Sequence, residues 1–130
     1  MSALLLDTHV VHWWFSEPGR LSKAATTAIL GADDLAVAAI TWYELAWLAI
    51  HNRITTTISV DAWLDQLARR LLTFNLTPAT ASIAVSLPNT FPGDPADRLI
   101  YATAIDNGVR LVTKDRRLRG HPHPHPVTVW

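Results

Sequence analysis

The amino-acid sequence predicts a single α/β domain, in which a parallel β-sheet is flanked by helices on both faces. Short apolar segments follow one another along the chain with longer helical patterns between them, which is typical of β-α-β units. The first segment, residues 4–6, is wholly apolar, as in strands that are buried on both faces. The chain has 130 residues, a length that fits one domain spanning residues 1–130.

Five strands are predicted from these apolar segments. Their ranges are residues 4–6, 35–40, 72–76, 109–113 and 127–130. Strands that are joined through helices imply right-handed crossovers. We therefore expect the strands to run parallel and their carboxyl ends to lie at one edge of the sheet.

Six helices are predicted between the strands, and capping residues indicate several of their ends. Their ranges are residues 8–16, 22–30, 41–51, 61–71, 78–87 and 94–107. Ser22 can cap the second helix, and Gly108 should terminate the last. Thr41 and Glu44 have the spacing of a capping box, which predicts the start of the third helix at Thr41.

The composition excludes several classes of protein. The chain has no cysteine, so disulfides and thiolate chemistry are excluded, and a reducing, cytoplasmic location is expected. Eleven basic and eleven acidic residues give a net charge of zero, so binding to nucleic acid would have to be local. Neither a signal-peptide pattern nor an apolar run of ~18 residues is present, and no membrane association is expected.

Four carboxylates lie where strand and helix ends can bring them together. Asp7 and Asp115 follow the strands at 4–6 and 109–113, and Glu44 and Asp97 lie in first turns of predicted helices. Ligands of open α/β sheets bind at the carboxyl ends of the strands. Four neighbouring acids repel each other unless a cation neutralises them, and oxygen-only ligands suit Mg²⁺ or Mn²⁺. The sequence thus predicts a metal-dependent enzyme that acts on a phosphate group.

Each acid also has a purely structural interpretation. Asp7 could cap the first helix, and Glu44 could complete the capping box with Thr41. Asp97 could favour the positive end of a helix dipole, and Asp115 could belong to a turn. The two interpretations are compatible, because an acid can cap its helix and still face a metal.

Taken together, these residues resemble the PIN-domain family, particularly the VapC-type toxins. The opening LLDTHV (residues 5–10), followed by two tryptophans, resembles the start of that family. GDPADRLI (93–100) resembles its Asp-Pro-x-Asp-Arg segment, and LVTKD (111–115) its final strand and acid. Glu44 lies where the family has a glutamate. The resemblance covers essentially the whole chain in the right order.

The resemblance implies a PIN-like, Rossmann-like α/β/α fold and an endoribonuclease that depends on Mg²⁺ or Mn²⁺. It also implies a homodimer and a VapB-type antitoxin that blocks the site. Asp7, Glu44, Asp97 and Asp115 would form the catalytic and metal-binding set, with Asp94 as a possible additional acid. A water activated by the metal would hydrolyse RNA, and either Asp7 or Asp115 would orient it. Many relatives have a histidine before the Asp-Pro pair, where this chain has Gly93.

Basic residues are concentrated around Asp115. They are Arg110, Lys114, Arg116, Arg117 and Arg119, five of the eleven in the chain. They could hold the RNA backbone beside the metal, or they could form a solvated loop. Thr113 could bond a phosphate or a metal-bound water. The candidates for RNA contact are thus Thr113, Lys114, Arg116 and Arg117.

Two alternatives to a ribonuclease remain open. A phosphotransfer or phosphatase domain also places an aspartate at a strand end. A haloacid-type phosphatase needs a second aspartate two residues later, where this chain has His9, and a receiver needs an aspartate within residues 72–77, where none occurs. A non-catalytic PIN-like interaction module is the other alternative, and the presence of all four acids argues against it.

Overall fold

One parallel sheet organises the chain. The computed structural model describes residues 2–123 and 126–130, and within them five strands lie in the order β3-β2-β1-β4-β5, every neighbouring pair parallel. They are β1 (Ala3–Leu6), β2 (Asp34–Ala38), β3 (Leu72–Phe74), β4 (Arg110–Val112) and β5 (Thr128–Val129). The predicted sheet is confirmed. Proline at every second position of residues 121–126 predicts an extended backbone there, and part of that segment lies outside the described residues.

Helices connect the strands, and all six predicted helices are present to within about one turn. They are α1 (Thr8–Ser16), α2 (Lys23–Gly31), α3 (Ala39–Ile50), α4 (Val60–Ala68), α5 (Pro78–Ser86) and α6 (Pro95–Asn107). Two further elements were not predicted: a 3₁₀ turn at Pro18–Arg20 and the short helix α7 (Arg116–Arg119). The described helices include none that is long and apolar enough to cross a membrane.

Side-chain caps begin several helices as the sequence indicated. Asp7 accepts the Thr8 N–H at 2.8 Å at the start of α1, and Ser22 accepts the Ala25 N–H at 3.0 Å at the start of α2. Gly108 ends α6 with a φ of 62°, in the left-handed region that suits glycine.

The predicted capping box at Thr41 is wrong. Helix α3 begins two residues earlier, after Ala38, and this N-cap makes no side-chain hydrogen bond. Residues 39 and 40, which were assigned to the strand, instead form the first turn of α3. Glu44 is therefore not bound to a helix start, and its carboxylate is available to the carboxyl edge of the sheet.

The middle strand, β1, divides the core into two clusters. Leu4 and Leu6 pack in the cluster that contains Val10 of α1 and Leu45 of α3. Leu5 points to the opposite face and packs in the cluster that contains Ile100 of α6. This alternation follows from the two-residue period of a strand. Helices therefore cover both faces, as predicted, and β1 is held rigidly at the centre.

Arg98 of α6 fixes the proline-rich segment that precedes its own helix. Its guanidinium donates to backbone carbonyl oxygens at the end of α5 and in the following loop. The acceptors are Pro92 and Leu87 (both 2.9 Å), Pro88 (3.1 Å), Ala84 (3.2 Å) and Phe91 (3.3 Å). One planar group with five N–H donors thus binds five carbonyls at the end of α5 and in the following loop. Two of them, those of Ala84 and Pro88, also accept a backbone N–H. The clamp holds the start of α6, where Asp97 lies.

We expect Arg98→Lys to lower the free energy of unfolding by about 1–3 kcal/mol, because an ammonium group has three donors and cannot reproduce the planar fork. Urea denaturation of both proteins measures this difference. Arg119→Lys is the matched control, since Arg119 donates one hydrogen bond to a backbone carbonyl, that of Lys114, at 3.3 Å. Equal losses in the two variants would show that the Arg98 clamp contributes nothing beyond an ordinary surface contact.

Candidate active site

Asp7 lies buried at the carboxyl end of β1, with both of its oxygens fixed. Its own N–H donates to the Val112 carbonyl of β4 at 3.0 Å, which carries the pairing of β1 and β4 one residue further. Its Oδ1 accepts the Thr8 N–H at 2.8 Å, and its Oδ2 accepts the Thr113 hydroxyl at 2.7 Å. Asp7 as a whole is 6% exposed, so the two hydrogen bonds replace most of the water that would otherwise solvate its carboxylate.

Thr113 connects Asp7 with Asp115. Its buried hydroxyl donates to Asp7 and accepts the Asp115 N–H at 3.0 Å. The sequence suggested that Thr113 touches phosphate or a metal-bound water. In the structure the hydroxyl bonds the Asp7 carboxylate and the Asp115 backbone, and the contact with phosphate or water stays a prediction.

Glu44 reaches the same edge of the sheet through Thr8. The Thr8 hydroxyl donates to Glu44 Oε1 at 2.6 Å and lies 3.1 Å from the Thr41 hydroxyl. Because Thr8 has one hydroxyl proton, Thr41 must be the donor in the second pair. Burial raises the pKa of Glu44, and the negative charges of Asp7 and Asp94 raise it further, against the bond from Thr8.

Asp97 occupies the first turn of α6, beside its exposed N-cap Asp94. Burial raises the pKa of Asp97 to about 6, and the charges of Asp94, Asp7 and Asp115 act in the same direction, while Arg117 opposes them. Asp97 therefore experiences the field of the other acids. Asp7 and Asp94 act in this way on both Asp97 and Glu44, and Asp115 acts on Asp97.

Arg117 of α7 lies between two of these acids. Its Nη2 donates to Asp115 Oδ2 at 2.7 Å and to Asp97 Oδ2 at 3.3 Å. The hydrogen bonds from Arg117 hold the pKa of Asp115 below its usual value. The same guanidinium lowers the pKa of Asp97 less than burial and the other acids raise it, which agrees with its longer contact there.

The donor set fits a hard divalent cation, although the side chains are not closed around one. In the described part of the chain, no group of three or more His, Asp or Glu side chains stands at metal-ligand spacing. The oxygen-only chemistry of the four side chains nevertheless suits a hard cation. Burial first, and the neighbouring carboxylates second, raise the pKa values of Asp97 and Glu44. Asp7, Glu44, Asp97 and Asp115 are the residues that would hold such an ion.

His9 contacts both Asp7 and the backbone of Lys114. The sequence did not predict these contacts. Its Nε2 accepts the Lys114 N–H at 3.0 Å, and its Nδ1 lies 3.6 Å from Asp7 Oδ2. Burial lowers the pKa of His9, against the charges of Asp7 and Asp115. A neutral ring with its proton on Nδ1 satisfies both contacts. The adjacency of His9 to Asp7 was the available signal.

The basic residues around Asp115 have different environments. Lys114 and Arg116 are exposed, and the Lys114 ammonium lies 5.6 Å from the centroid of the Trp13 ring. The Arg116 side chain makes no hydrogen bond or ion pair within residues 2–123 and 126–130. Arg117 is engaged with the acids. The run is thus part of α7 and its approach, not a uniform solvated loop.

The comparison with known proteins decides the family, because residues 4–123 match the family model of the PIN domain. The chain belongs to the PIN domain family. It is 64% identical to Ribonuclease VapC22 of Mycobacterium tuberculosis (strain ATCC 25618 / H37Rv) over 130 residues, 100% of both chains. The predicted family is confirmed.

Solved structures share this PIN fold. A toxin–antitoxin complex from Klebsiella pneumoniae contains a chain that matches with a TM-score of 0.68 and 21% identity over 92% of each chain. DNA-bound VapBC from Salmonella typhimurium matches with a TM-score of 0.73 and 17% identity over 98% of this chain and 97% of that one. PIN membership leaves no support for a receiver or a haloacid-type phosphatase.

Gly93 stands where many relatives have a histidine. A Cβ at this position would meet open space, so packing does not require the glycine.

We expect metal-free Asp97→Asn to be at least as stable as the wild type at pH 7, by up to about 1–2 kcal/mol. The pKa of Asp97 is about 6 in the folded protein and 3.8 in its ordinary state. The folded state thus binds more protons between these values, and wild-type stability falls as the pH rises through them. The amide cannot titrate and should flatten this dependence. Thermal and urea unfolding in EDTA between pH 4 and pH 7 measure it.

Asp61→Asn is the matched control, because Asp61 is also an acid in the first turn of a helix, α4, and is exposed. Its loss should cost about 0.3–1 kcal/mol through the helix dipole. If Asp97→Asn destabilises the protein as Asp61→Asn does, with the same pH profile, then Asp97 is an ordinary helix-start residue.

Proposed function

We propose that this PIN domain is the ribonuclease toxin of a type II toxin–antitoxin pair, and that it hydrolyses RNA phosphodiester bonds with Mg²⁺ or Mn²⁺. The relative named Ribonuclease VapC22 supports the activity, at 64% identity over the full length. The observation that carries the metal dependence is the set of four carboxylates at one sheet edge, with the pKa of Asp97 raised to about 6. A divalent cation binds to carboxylate oxygens and neutralises the repulsion between such acids.

The acids would hold the metal ion, and two threonines position the acids. A bound divalent ion would supply an activated water and offset charge on the phosphoryl oxygens. Asp7 offers a preoriented carboxylate, because the Thr8 N–H and the Thr113 hydroxyl fix its two oxygens. Thr8 also sets the direction of Glu44, and Thr113 sets the backbone of Asp115. This positioning by neutral donors leaves the negative charge of the acids available.

RNA contact is assigned first to Lys114 and Arg116. Both are exposed and lie next to Asp115 in the chain, so their charges face solvent close to the acids. Thr113 is buried behind Asp7, which disfavours a direct phosphate contact. The net charge of the chain is zero, so this local cluster would provide the attraction to the RNA backbone.

We also propose a VapB-type antitoxin and a second copy of this chain as partners, and a cytoplasmic location, where RNA is accessible. The solved neighbours include VapBC complexes. On α3, Tyr43, Trp47 and Ile50 are 66%, 41% and 66% exposed, and their spacing places them along one helix face. Exposed aromatic side chains of this kind are typical of protein–protein interfaces.

We expect RNA cleavage to require Mg²⁺ or Mn²⁺, and Asp7→Asn to lower kcat by about 100-fold or more, because metal ligation supplies several kcal/mol of transition-state stabilisation. The assay is cleavage of a labelled RNA by the purified chain, with the metal and with EDTA. Asp61→Asn should cleave normally, since Asp61 is exposed on α4. Undiminished cleavage in EDTA would rule out the metal mechanism.

We expect Arg116→Gln to weaken RNA binding and to reduce the slope of log K against log salt by about 0.7, because one phosphate contact releases one condensed counterion from a single strand. Fluorescence anisotropy at several salt concentrations measures both quantities. Lys23→Gln is the control, since it removes the same charge from the exposed first turn of α2. Identical salt slopes for Arg116→Gln and Lys23→Gln would show that Arg116 is an ordinary solvated surface residue that does not contact RNA.

A further inference from the structure

Arg117 grips two carboxylates that come from different parts of the chain. Asp115 is the N-cap of α7 and accepts the Arg117 backbone N–H at 2.8 Å and its Nε–H at 3.2 Å, both at Oδ1. The Nη2 group bonds Asp115 Oδ2 at 2.7 Å and Asp97 Oδ2 at 3.3 Å. A single guanidinium therefore joins the carboxyl end of β4 to the start of α6.

The guanidinium covers the solvent side of these acids. The side chains of Asp97 and Asp115 are 19% and 20% exposed, whereas that of Arg117 is 64% exposed. Arg117 contacts both oxygens of Asp115 and Oδ2 of Asp97, so an ion that bound both carboxylates would share oxygens with the guanidinium. Arg117 and a divalent ion would thus compete for the same ligands.

We propose that Arg117 is an internal counter-ion of this site: it holds Asp97 and Asp115 in the metal-free protein, competes with the metal for their oxygens, and turns to the substrate phosphate once it is displaced. This inference rests on the proposed function.

The geometry indicates which contact opens. The three bonds to Asp115 are local and are tied to the cap of α7, whereas the 3.3 Å bond to Asp97 is the longest of the four and spans 20 positions of the chain. Arg117 can leave Asp97 and remain beside Asp115. Its Nη1 makes no hydrogen bond within the described residues, so the fork still has donors for a phosphate oxygen.

The exposure of Arg117 makes the competition reversible. An ion pair that faces water is screened and contributes modestly, so a divalent ion with several carboxylate ligands can displace it. A buried arginine would instead leave an unpaired charge when it was displaced, at high cost. Arg117 is therefore suited to neutralise the acids without closing the site permanently.

Mn²⁺ titration of the intact chain by calorimetry, without RNA, tests the competition. We expect Arg117→Gln to bind Mn²⁺ about 3- to 10-fold more tightly than the wild type, because the competing cation is removed. Arg116→Gln is matched in charge and position but not in contacts, and should change the affinity by less than about 2-fold. In EDTA, Arg117→Gln should melt below Arg116→Gln, since Asp97 and Asp115 lose their counter-charge.

The second readout is binding of a phosphorothioate RNA that resists cleavage. With saturating Mn²⁺, Arg117→Gln should lower the salt slope by about 0.7, and without Mn²⁺ it should leave the slope unchanged, because the acids then hold Arg117. If Arg117→Gln and Arg116→Gln had equal Mn²⁺ affinities and equal metal-free melting temperatures, the counter-ion role would be overturned. If Arg117→Gln changed the salt slope of RNA binding equally with and without Mn²⁺, the release of Arg117 by the metal would be overturned. A wild-type chain that bound no Mn²⁺ would instead overturn the proposed metal centre.

Discussion

The site depends on keeping the carboxylate of Asp7 buried at the end of the middle strand. Removing a carboxylate from water is costly unless hydrogen bonds replace its hydration. Here the replacements are the Thr8 N–H and the Thr113 hydroxyl. The first requires α1 to begin immediately after β1, and the second requires β4 to lie beside β1 in one register. The fold around the middle strand and the support of the site are therefore the same set of contacts.

Neutral hydrogen-bond donors position the buried acids of the site, whereas the Arg117 guanidinium contacts the acids only on the solvent side. Thr8 and Thr113 position Glu44, Asp7 and Asp115 without adding positive charge. Had lysines done so, the acids would have been neutralised and a divalent ion would have gained little. The positive charge that does contact the acids, Arg117, stands at the solvent side, where screening keeps the contact weak.

The sequence predicted the parallel sheet and the order of the acids because both are local signals. Apolar runs indicate buried strands, Asp7 and Asp115 follow two of those runs, and Asp97 lies in the first turn of a helix. The boundary between β2 and α3 was misplaced because residues 36–40 are apolar in either state, and periodicity cannot separate them. Helix α7 was missed because a four-residue segment has too little pattern and depends on the Asp115 cap. The bonds from Thr113 to Asp7 and from Arg117 to Asp97 join distant residues, which no local pattern reveals.

The clamp formed by Arg98 affects which substitutions the loop before α6 can tolerate during evolution. Its five bonds end on main-chain oxygens, which every residue type possesses. The clamp itself thus places no demand on the side chains of the loop it organises, apart from those, such as Phe91, that also fill the core. The loop beside the candidate site can then accumulate substitutions while the start of α6 stays in place. Variation in the side chains of this loop is thereby separated from the position of Asp97 at the start of α6.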